Sequence, residues 1–196
     1  MALGKQAKTL TKVQVDAALN YLSRTRHPIR NQAILLLSIK AGMRAKEIAH
    51  LKWEMLTTAD GEIGSAIHLT NTASKGKGGG RVIPLNKELK AALFKLRSEP
   101  PLSRPSEYVI TTERCGRTSS QAIVNLFFRW YSDLGYGGCS SHSGRRTFIT
   151  NAARKISTVG GSLRDVQLLA GHSNLSTTQR YIEADAEAQQ RIVQLV

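Results

Sequence analysis

The segment that decides the fold lies near the C-terminus, where residues 170–184 read AGHSNLSTTQRYIEA. Together with SLRDVQLL (residues 162–169), it has the pattern of a helix, a turn at Gly171 and a second helix, which is typical of helix-turn-helix proteins that read DNA. The same segment contains His172 and, nine residues later, Tyr181. Because histidine and tyrosine can also do chemistry at a phosphate, the segment supports two hypotheses, binding of DNA and cleavage of DNA.

The charge of the chain favours a polyanionic partner. Its 196 residues include 28 Lys and Arg against 14 Asp and Glu, a formal net charge of +14. Since such an excess is typical of nucleic-acid-binding proteins, we expect double-stranded DNA as the partner. Residues 1–181 carry +16 and the last fifteen carry −2, so we predict that the tail packs against protein, such as a neighbouring subunit.

Composition also indicates the compartment. The longest apolar run, AILLLSI (residues 33–39), is too short to cross a bilayer, and the basic N-terminal residues lack the apolar core of a secretory signal. Two cysteines argue against a disulfide scaffold. We therefore expect a cytoplasmic protein with no membrane partner. Cys139, His142 and His172 lack the paired spacing of zinc ligands, so no metal site is predicted.

Hydrophobic periodicity predicts one mainly helical α+β domain with a small antiparallel sheet. Helices are predicted at residues 13–24, 31–41, 45–53, 87–98, 120–134, 142–156, 162–169 and 176–184. Strands are predicted at 65–73 and 81–85, joined by the glycine-rich SKGKGGG, and at 108–112 (YVITT). We expect residues 1–10 to form a basic, poorly ordered arm, 11–185 the domain and 186–196 a tail helix.

Two arginines and a histidine are the first candidates for a site. In HSGR (residues 142–145), His142 and Arg145 are three positions apart and therefore share one face of the predicted helix. Arg44 follows the predicted helix end at Gly42, from where its side chain can point into a cleft. The other candidates are His172, Tyr181 and one lysine of the glycine-rich connection, Lys75 or Lys77.

Transfer of a DNA phosphate needs these residue types. Guanidinium groups can clamp the non-bridging oxygens, and histidine can donate a hydrogen bond or accept the nucleophile's proton near neutral pH. A mobile lysine can protonate the departing 5′-oxygen. A tyrosine attacks only when such cations surround it, because the pKa of a free phenol is about 10.

Each candidate also has a structural explanation. Arg44 can cap a helix end, the lysines can lie in a solvated turn, His172 can be a turn residue, and Tyr181 can be a half-buried aromatic. The enzymatic hypothesis is favoured because all of these explanations would have to hold at once in one strongly basic chain.

Four stretches in order resemble the tyrosine recombinases, also called phage integrases, over residues 10–185: GMRAKEIAHLKW (42–53), SKGKGGGRVIPL (74–85), HSGRRTFIT (142–150) and LLAGHSNLSTTQRYI (168–182). The resemblance implies the catalytic-domain fold of that family. It also implies cleavage that leaves a 3′-phosphotyrosyl link and a free 5′-hydroxyl, without metal or nucleotide cofactor, in a tetramer assembled on DNA. The implied catalytic residues are Arg44, Lys75, His142, Arg145, His172 and the nucleophile Tyr181.

Residues beside these motifs are predicted to contact DNA, namely Lys77, Arg81, Arg146, Thr178 and Arg180. The chain departs from the family pattern at Gly144, where an apolar residue is usual, and we expect glycine to loosen the helix locally. The hairpin is one residue longer than usual, which leaves two candidates for the catalytic lysine. Lys75 is favoured because it aligns with the family pattern if the extra residue is a glycine, and Lys77 is the alternative. Family members usually carry a core-binding domain before the catalytic domain, and because this sequence begins almost at the catalytic domain, we expect either a minimal member or a fragment.

Three functions remain for comparison. The first is a site-specific recombinase; the second is a non-enzymatic DNA-binding regulator, either a helix-turn-helix protein or a degenerate integrase. The third is a nicking and closing enzyme similar to type IB topoisomerases. Every position that the resemblance requires is filled, which favours the recombinase.

Overall fold

Capping residues set the helix boundaries in the computed structural model, which describes residues 7–71, 80–100, 106–181 and 193–194. Thr11 and Gln14 form a capping box at the first helix, and Ser162 with Asp165 forms another at the seventh. The Asn86 side chain accepts hydrogen bonds at the start of the fourth helix. All three starts confirm the sequence prediction.

Within the described ranges, helices dominate and one small sheet is present, which confirms the predicted α+β class. The helices are α1 (Lys12–Leu22), α2 (Pro28–Ala41), α3 (Ala45–Ala49), α4 (Lys87–Ser98), α5 (Ser120–Asp133), α6 (Ser143–Lys155), α7 (Leu163–Ala170) and α8 (Leu175–Gln179); the strands are β1 (Ala66–Leu69) and β2 (Arg81–Pro84). Short 3₁₀ turns occupy Trp53–Met55 and Ile156–Val159. No described helix combines the length and apolarity that crossing a membrane requires.

The sheet is the predicted hairpin. β1 and β2 pair antiparallel, with Ile67 opposite Ile83 and Leu69 opposite Arg81. All four of these side chains are buried, as the alternation of a half-buried strand requires. The connection with Lys75 and Lys77 falls within residues 72–79, outside the described part of the chain.

The predicted strand at 108–112 is wrong. Only Tyr108 pairs, through an isolated bridge to Lys52. The reason is local: the Thr112 hydroxyl accepts from the Cys115 backbone N–H and donates to the Cys115 carbonyl, which turns the chain before a strand can continue.

Helix α2 lies at the centre of the domain because it is apolar on nearly every side. Residues 33–39 are all buried, and the helix packs against α1, α3, α4 and α6. Gly42 ends α2 in the left-handed conformation with φ of 60°. The C-terminal end of α2 therefore lies in the interior, close to the start of α6.

The end of the predicted N-terminal arm packs on the domain. Leu10 is 5% exposed, and its backbone N–H donates to the Thr147 hydroxyl at 2.8 Å. The Lys8 N–H donates to the Gly138 carbonyl. Residues 1–6, and the predicted tail helix apart from Val193 and Gln194, lie outside the described ranges.

Gly144 lies where α6 meets α2. A Cβ there would be 2.9 Å from the Cβ of Ser38 and 3.0 Å from Cγ2 of Ile39, closer than ordinary contacts. The expected loosening of the helix is not observed, since α6 runs unbroken from Ser143 to Lys155. The missing side chain instead permits the close approach of two helices.

We predict that Gly144→Ala lowers the free energy of unfolding by about 1 kcal/mol in urea denaturation. Overpacking typically costs about 1–3 kcal/mol, which exceeds the helix-propensity gain of about 1 kcal/mol from replacing glycine. Gly137→Ala is the control, because a Cβ at Gly137 meets nothing within 4 Å. Equal stability of the two variants would contradict the packing explanation.

Candidate active site

Arg44 is fixed by its position between two helices. Its backbone is extended, at φ −78° and ψ 155°, and it forms the N-cap of α3. The Arg44 N–H donates to Oε2 of Glu47, and the guanidinium Nη1 donates to Oε1 of the same carboxylate, both at 2.8 Å. The Arg44 side chain keeps about 30% of its surface exposed and can still meet a ligand.

Glu47 is the buried anion that organises this cationic site. Its side chain is 1% exposed, and Arg81 approaches it with two guanidinium nitrogens, Nη1 at 2.8 Å from Oε1 and Nη2 at 3.0 Å from Oε2. Burial by itself would raise the pKa of Glu47, but the hydrogen bonds and charges of Arg81 and Arg44 outweigh it and lower the pKa to about 2. The carboxylate is therefore ionised at neutral pH.

Arg81 does not occupy the place that the sequence suggested. Its side chain is 5% exposed and paired with Glu47, so it does not lie at the surface where the sequence predicted a direct contact with DNA. Arg81 begins β2 and also touches the turn after α7, where a Cβ on Gly171 would lie 2.9 Å from Arg81 Cδ. It therefore ties the base of the hairpin to Glu47 and to Gly171.

Arg145 is held by the ends of two helices. Its Nη1 donates to the Gly42 carbonyl and its Nη2 to the Ala170 carbonyl, each at 2.6 Å. The C-terminal ends of α2 and α7 carry partial negative charge, which stabilises the guanidinium. Burial lowers the pKa of Arg145 to about 10, and the charge of Arg44 adds to this effect while Glu47 opposes it. The group remains a cation at neutral pH.

His172 follows the turn at Gly171 and is 9% exposed. Its Nδ1 lies 2.9 Å from the hydroxyl oxygen of Thr178, and its ring stacks on Tyr181 with centroids 5.5 Å apart. Burial, followed by the charges of Arg145, Arg44 and Arg81, lowers the pKa of His172 to about 4. The imidazole is therefore neutral at physiological pH.

Thr178 is fully buried, so its side chain does not lie at the surface where the sequence predicted a contact with DNA. The sequence suggested a reading helix over 176–184, whereas α8 has five residues and ends at Gln179. Tyr181 lies in the turn directly after the C-cap residue Arg180, rather than within a helix. A helix this short, with a buried Thr178, offers little surface to the edges of bases.

A cleft of about 390 Å³ opens in front of Tyr181. It is lined by Ala7, Ser140, His142, Arg145, Arg146, Thr177, Arg180 and Tyr181. Arg146 lies with its guanidinium carbon 6.0 Å from the centre of the tyrosine ring, a cation–π distance. His142 caps the start of α6 and is exposed.

The structure thus brings His142, Arg145 and Tyr181 together on one cleft, with His172 stacked on the tyrosine. Arg44 is close enough for its charge to act on both Arg145 and His172. Lys75 and Lys77 lie outside the described residues, so their position in this site stays a prediction. Within the described ranges, His, Cys, Asp and Glu side chains form no group of three that could hold a metal ion.

Glu47 is the functional residue that the sequence reading missed. The sequence contained a signal for Glu47, because an N-cap residue Arg44 followed three residues later by glutamate has the spacing of a capping box. An acid beside a motif arginine, in a chain with twice as many basic as acidic residues, is a candidate counter-charge.

Removal of Arg81 tests this buried pair. We expect Arg81→Met to lower the free energy of unfolding at pH 7 by about 3–5 kcal/mol, because it leaves the Glu47 carboxylate buried with fewer partners. The pKa of Glu47 is about 2 in the folded chain against an ordinary 4.5. Because the folded value is lower, the stabilisation is complete above pH 4.5 and is lost as the pH falls toward 2.

Urea denaturation between pH 7 and pH 2 measures both effects. Lys40→Met is the control, since Lys40 pairs with Glu88 at 2.8 Å on the surface, where such pairs contribute less than about 1 kcal/mol. A destabilisation by Arg81→Met no larger than that of Lys40→Met would disprove the supporting role of the pair.

The chain also resembles known proteins in sequence. The sequence model of the Phage integrase family matches residues 8–188. Tyrosine recombinase XerA of Thermococcus kodakarensis is 31% identical, over 92% of this chain and 59% of that protein. Tyrosine recombinase XerC of a Roseiflexus species is 30% identical, over 89% of this chain and 54% of that protein. The chain therefore spans little more than half the length of these relatives.

Solved structures with the same fold are also recombination proteins. The Tn1549 transposon integrase, in complex with circular intermediate DNA, superposes with a TM-score of 0.75 at 18% identity, over 99% of this chain and 67% of that one. The crystal structure of XerA recombinase gives a TM-score of 0.73 at 22% identity, over 95% of this chain and 64% of that one. These similarities show that the fold is that of the tyrosine recombinases.

Proposed function

The chain belongs to the phage integrase family, and from this premise we propose that it is a site-specific recombinase that cuts and rejoins double-stranded DNA through Tyr181. The phenol oxygen attacks the phosphorus of a phosphodiester. The bond from phosphorus to the 5′-oxygen breaks, and the departing oxygen takes up a proton to become a 5′-hydroxyl. The 3′-phosphotyrosyl link conserves the bond energy, so that attack by a 5′-hydroxyl of another strand rejoins the DNA and frees the tyrosine.

The observation that carries this proposal is the stacking of Tyr181 on His172, at the edge of a cleft that Arg145 also lines. A phosphate in that cleft meets a cation at Arg145 and a second one at Arg44. Guanidinium groups stabilise the negative charge that spreads over the phosphate oxygens during the reaction.

The histidines have different roles in this proposal. His172 is neutral, and it donates a hydrogen bond to a phosphate oxygen. His142, which is exposed and lines the same cleft as Tyr181, is assigned the uptake of the proton that the nucleophile loses. The remaining step, protonation of the 5′-oxygen, is assigned to Lys75 of the hairpin, with Lys77 as the alternative. The residues in these roles require no metal or nucleotide cofactor.

Partners follow from the same proposal. Arg146 and Arg180 on the cleft, and Lys77 on the hairpin, bind the DNA backbone around the cut. Exchange between two duplexes needs four active sites, so the protein assembles on DNA as a tetramer. Residues 182–196 carry a net charge of −2, which supports the prediction that they contact a neighbouring subunit rather than DNA. The reaction takes place in the cytoplasm.

Covalent capture tests the function. The full chain is incubated with nicked duplexes drawn from the DNA that flanks its own gene, so that the short 5′-hydroxyl fragment diffuses away after cleavage. We expect a protein–DNA adduct that survives denaturing electrophoresis and disappears after protease treatment. Tight, salt-sensitive binding without an adduct on any duplex would instead support the non-enzymatic regulator. Relaxation of supercoiled DNA without a specific site would support the topoisomerase-like alternative.

A further inference from the structure

Thr178 contacts both residues at the centre of the site. Its side chain is fully buried, and its hydroxyl oxygen lies 2.9 Å from Nδ1 of His172. Its backbone carbonyl accepts a hydrogen bond from the N–H of Tyr181 at 3.0 Å. One residue therefore holds the histidine through its side chain and the tyrosine through its backbone.

The direction of the bond between Thr178 and His172 follows from the donors available. A hydroxyl has one proton to donate, and a buried donor without an acceptor destabilises the folded protein because it has lost its hydrogen bond to water. Among the described residues, the only acceptor for this hydroxyl is Nδ1 of His172. If Nδ1 carried the ring proton, the hydroxyl would accept and its own proton would be left buried without a partner.

We propose that Thr178 is a positioning residue whose hydroxyl donates to Nδ1 of His172 and thereby keeps the single ring proton on Nε2. On the proposed function, that proton is the one His172 donates to a phosphate oxygen. Among the described residues no hydrogen bond to Nε2 is present, and in this proposal Nε2 is the nitrogen that meets the phosphate.

The cations around His172 leave its ring with a single proton, so what the ring can donate depends on which nitrogen carries that proton. The cations Arg145, Arg44 and Arg81 disfavour a second ring proton, as the low pKa of His172 reflects. A neutral imidazole has one donor and one acceptor, and which nitrogen carries the proton depends on the partner of the other. Gln167 fixes the backbone, because its Nε2 donates to the His172 carbonyl at 2.8 Å. Among the residues that the structure describes, only Thr178 acts on the ring by a hydrogen bond.

The tautomer can be measured by NMR of the DNA-free protein with ¹⁵N-labelled histidine, in which two-bond correlations separate protonated from unprotonated ring nitrogens. The chain has five histidines, and His172→Gln identifies the signals of His172. We expect the proton on Nε2 in the unmodified protein and in Thr178→Ser, which keeps the hydroxyl. In Thr178→Val, which has a similar shape without the hydroxyl, we expect a mixture of tautomers.

The unmodified protein alone can overturn the inference, whether or not the valine variant folds. A ring proton on Nδ1 would show that histidine donates to threonine, contrary to the proposal. An unchanged tautomer in folded Thr178→Val would show that the hydroxyl does not determine it.

Cleavage kinetics provide the second measurement. Thr178→Val is expected to slow adduct formation roughly 10- to 100-fold, the loss typical when a group that orients an imidazole is removed, with DNA affinity unchanged and activity restored in Thr178→Ser. Loss in valine without recovery in serine would indicate a general packing role and contradict the proposal. If NMR gives the expected tautomers while the unmodified protein forms no adduct, the proposed function fails and the role of Thr178 in fixing the ring stands.

Discussion

Tyr181→Phe is expected to abolish the covalent protein–DNA adduct, with a loss on the order of 10⁶-fold, as is typical when a covalent nucleophile is removed. The phenylalanine ring keeps the stacking on His172 at 5.5 Å and the contact with Arg146 at 6.0 Å. Only the oxygen that attacks phosphorus is lost. Adduct formation is measured on the nicked duplex that captures the unmodified chain.

Tyr108→Phe provides the matched control for Tyr181→Phe. Tyr108 lies on a separate cavity together with Trp53 and Arg97, away from the cleft of Tyr181. This variant should form the adduct at the rate of the unmodified chain. DNA binding by Tyr181→Phe should also remain, because none of the basic side chains changes. An adduct with Tyr181→Phe would show that another residue is the nucleophile.

Arg145→Lys is the second change with a large expected effect, a decrease of about 10²–10³-fold in the rate of adduct formation. Lysine keeps a positive charge but lacks the planar fork that can clamp a phosphate while bonding elsewhere. Arg145 already uses two of its nitrogens for the carbonyls of Gly42 and Ala170. Since lysine can replace few of these bonds, the transition state loses a fixed donor.

Single-turnover kinetics and salt-dependent DNA binding show whether Arg145→Lys slows the chemical step or weakens the binding of DNA. Arg154→Lys, an exposed position on the same helix α6, should leave the rate unchanged. Binding of DNA by Arg145→Lys should be nearly unchanged, because lysine still neutralises a phosphate. A rate within threefold of the unmodified chain would mean that Arg145 only connects the two helix ends.

Local signals in the sequence were sufficient for most of the fold. Capping boxes at Thr11 and Ser162, and the Asn86 cap, fixed three helix starts, because a cap depends only on residues within one turn. The strand predicted from 108 to 112 failed, since the bonds between Thr112 and Cys115 overrode its β-type composition.

In the candidate site, the structure brings some of the predicted residues together and buries others. His142, Arg145, Arg146 and Tyr181, which are all motif residues, line one cleft. Arg81 and Thr178 were predicted to face DNA and are instead buried against Glu47 and His172. A basic or hydroxyl side chain has the same appearance in a sequence whether it meets a phosphate or a buried partner. Its exposure is decided by residues far away in the chain.

Composition and short-range patterns were enough for the helical class, three helix starts, the paired strands and the set of residues suited to phosphate chemistry, because each depends on neighbours within a few positions or on composition. Which cations face the cleft and which support it depends on packing between elements that are far apart in the chain. Glu47 meets Arg81 across 34 positions, and Arg145 meets Gly42 across 103. Such contacts form when helix ends converge around the buried helix α2. The burial of α2 sets the distances between the charges, and no local pattern in the sequence does so.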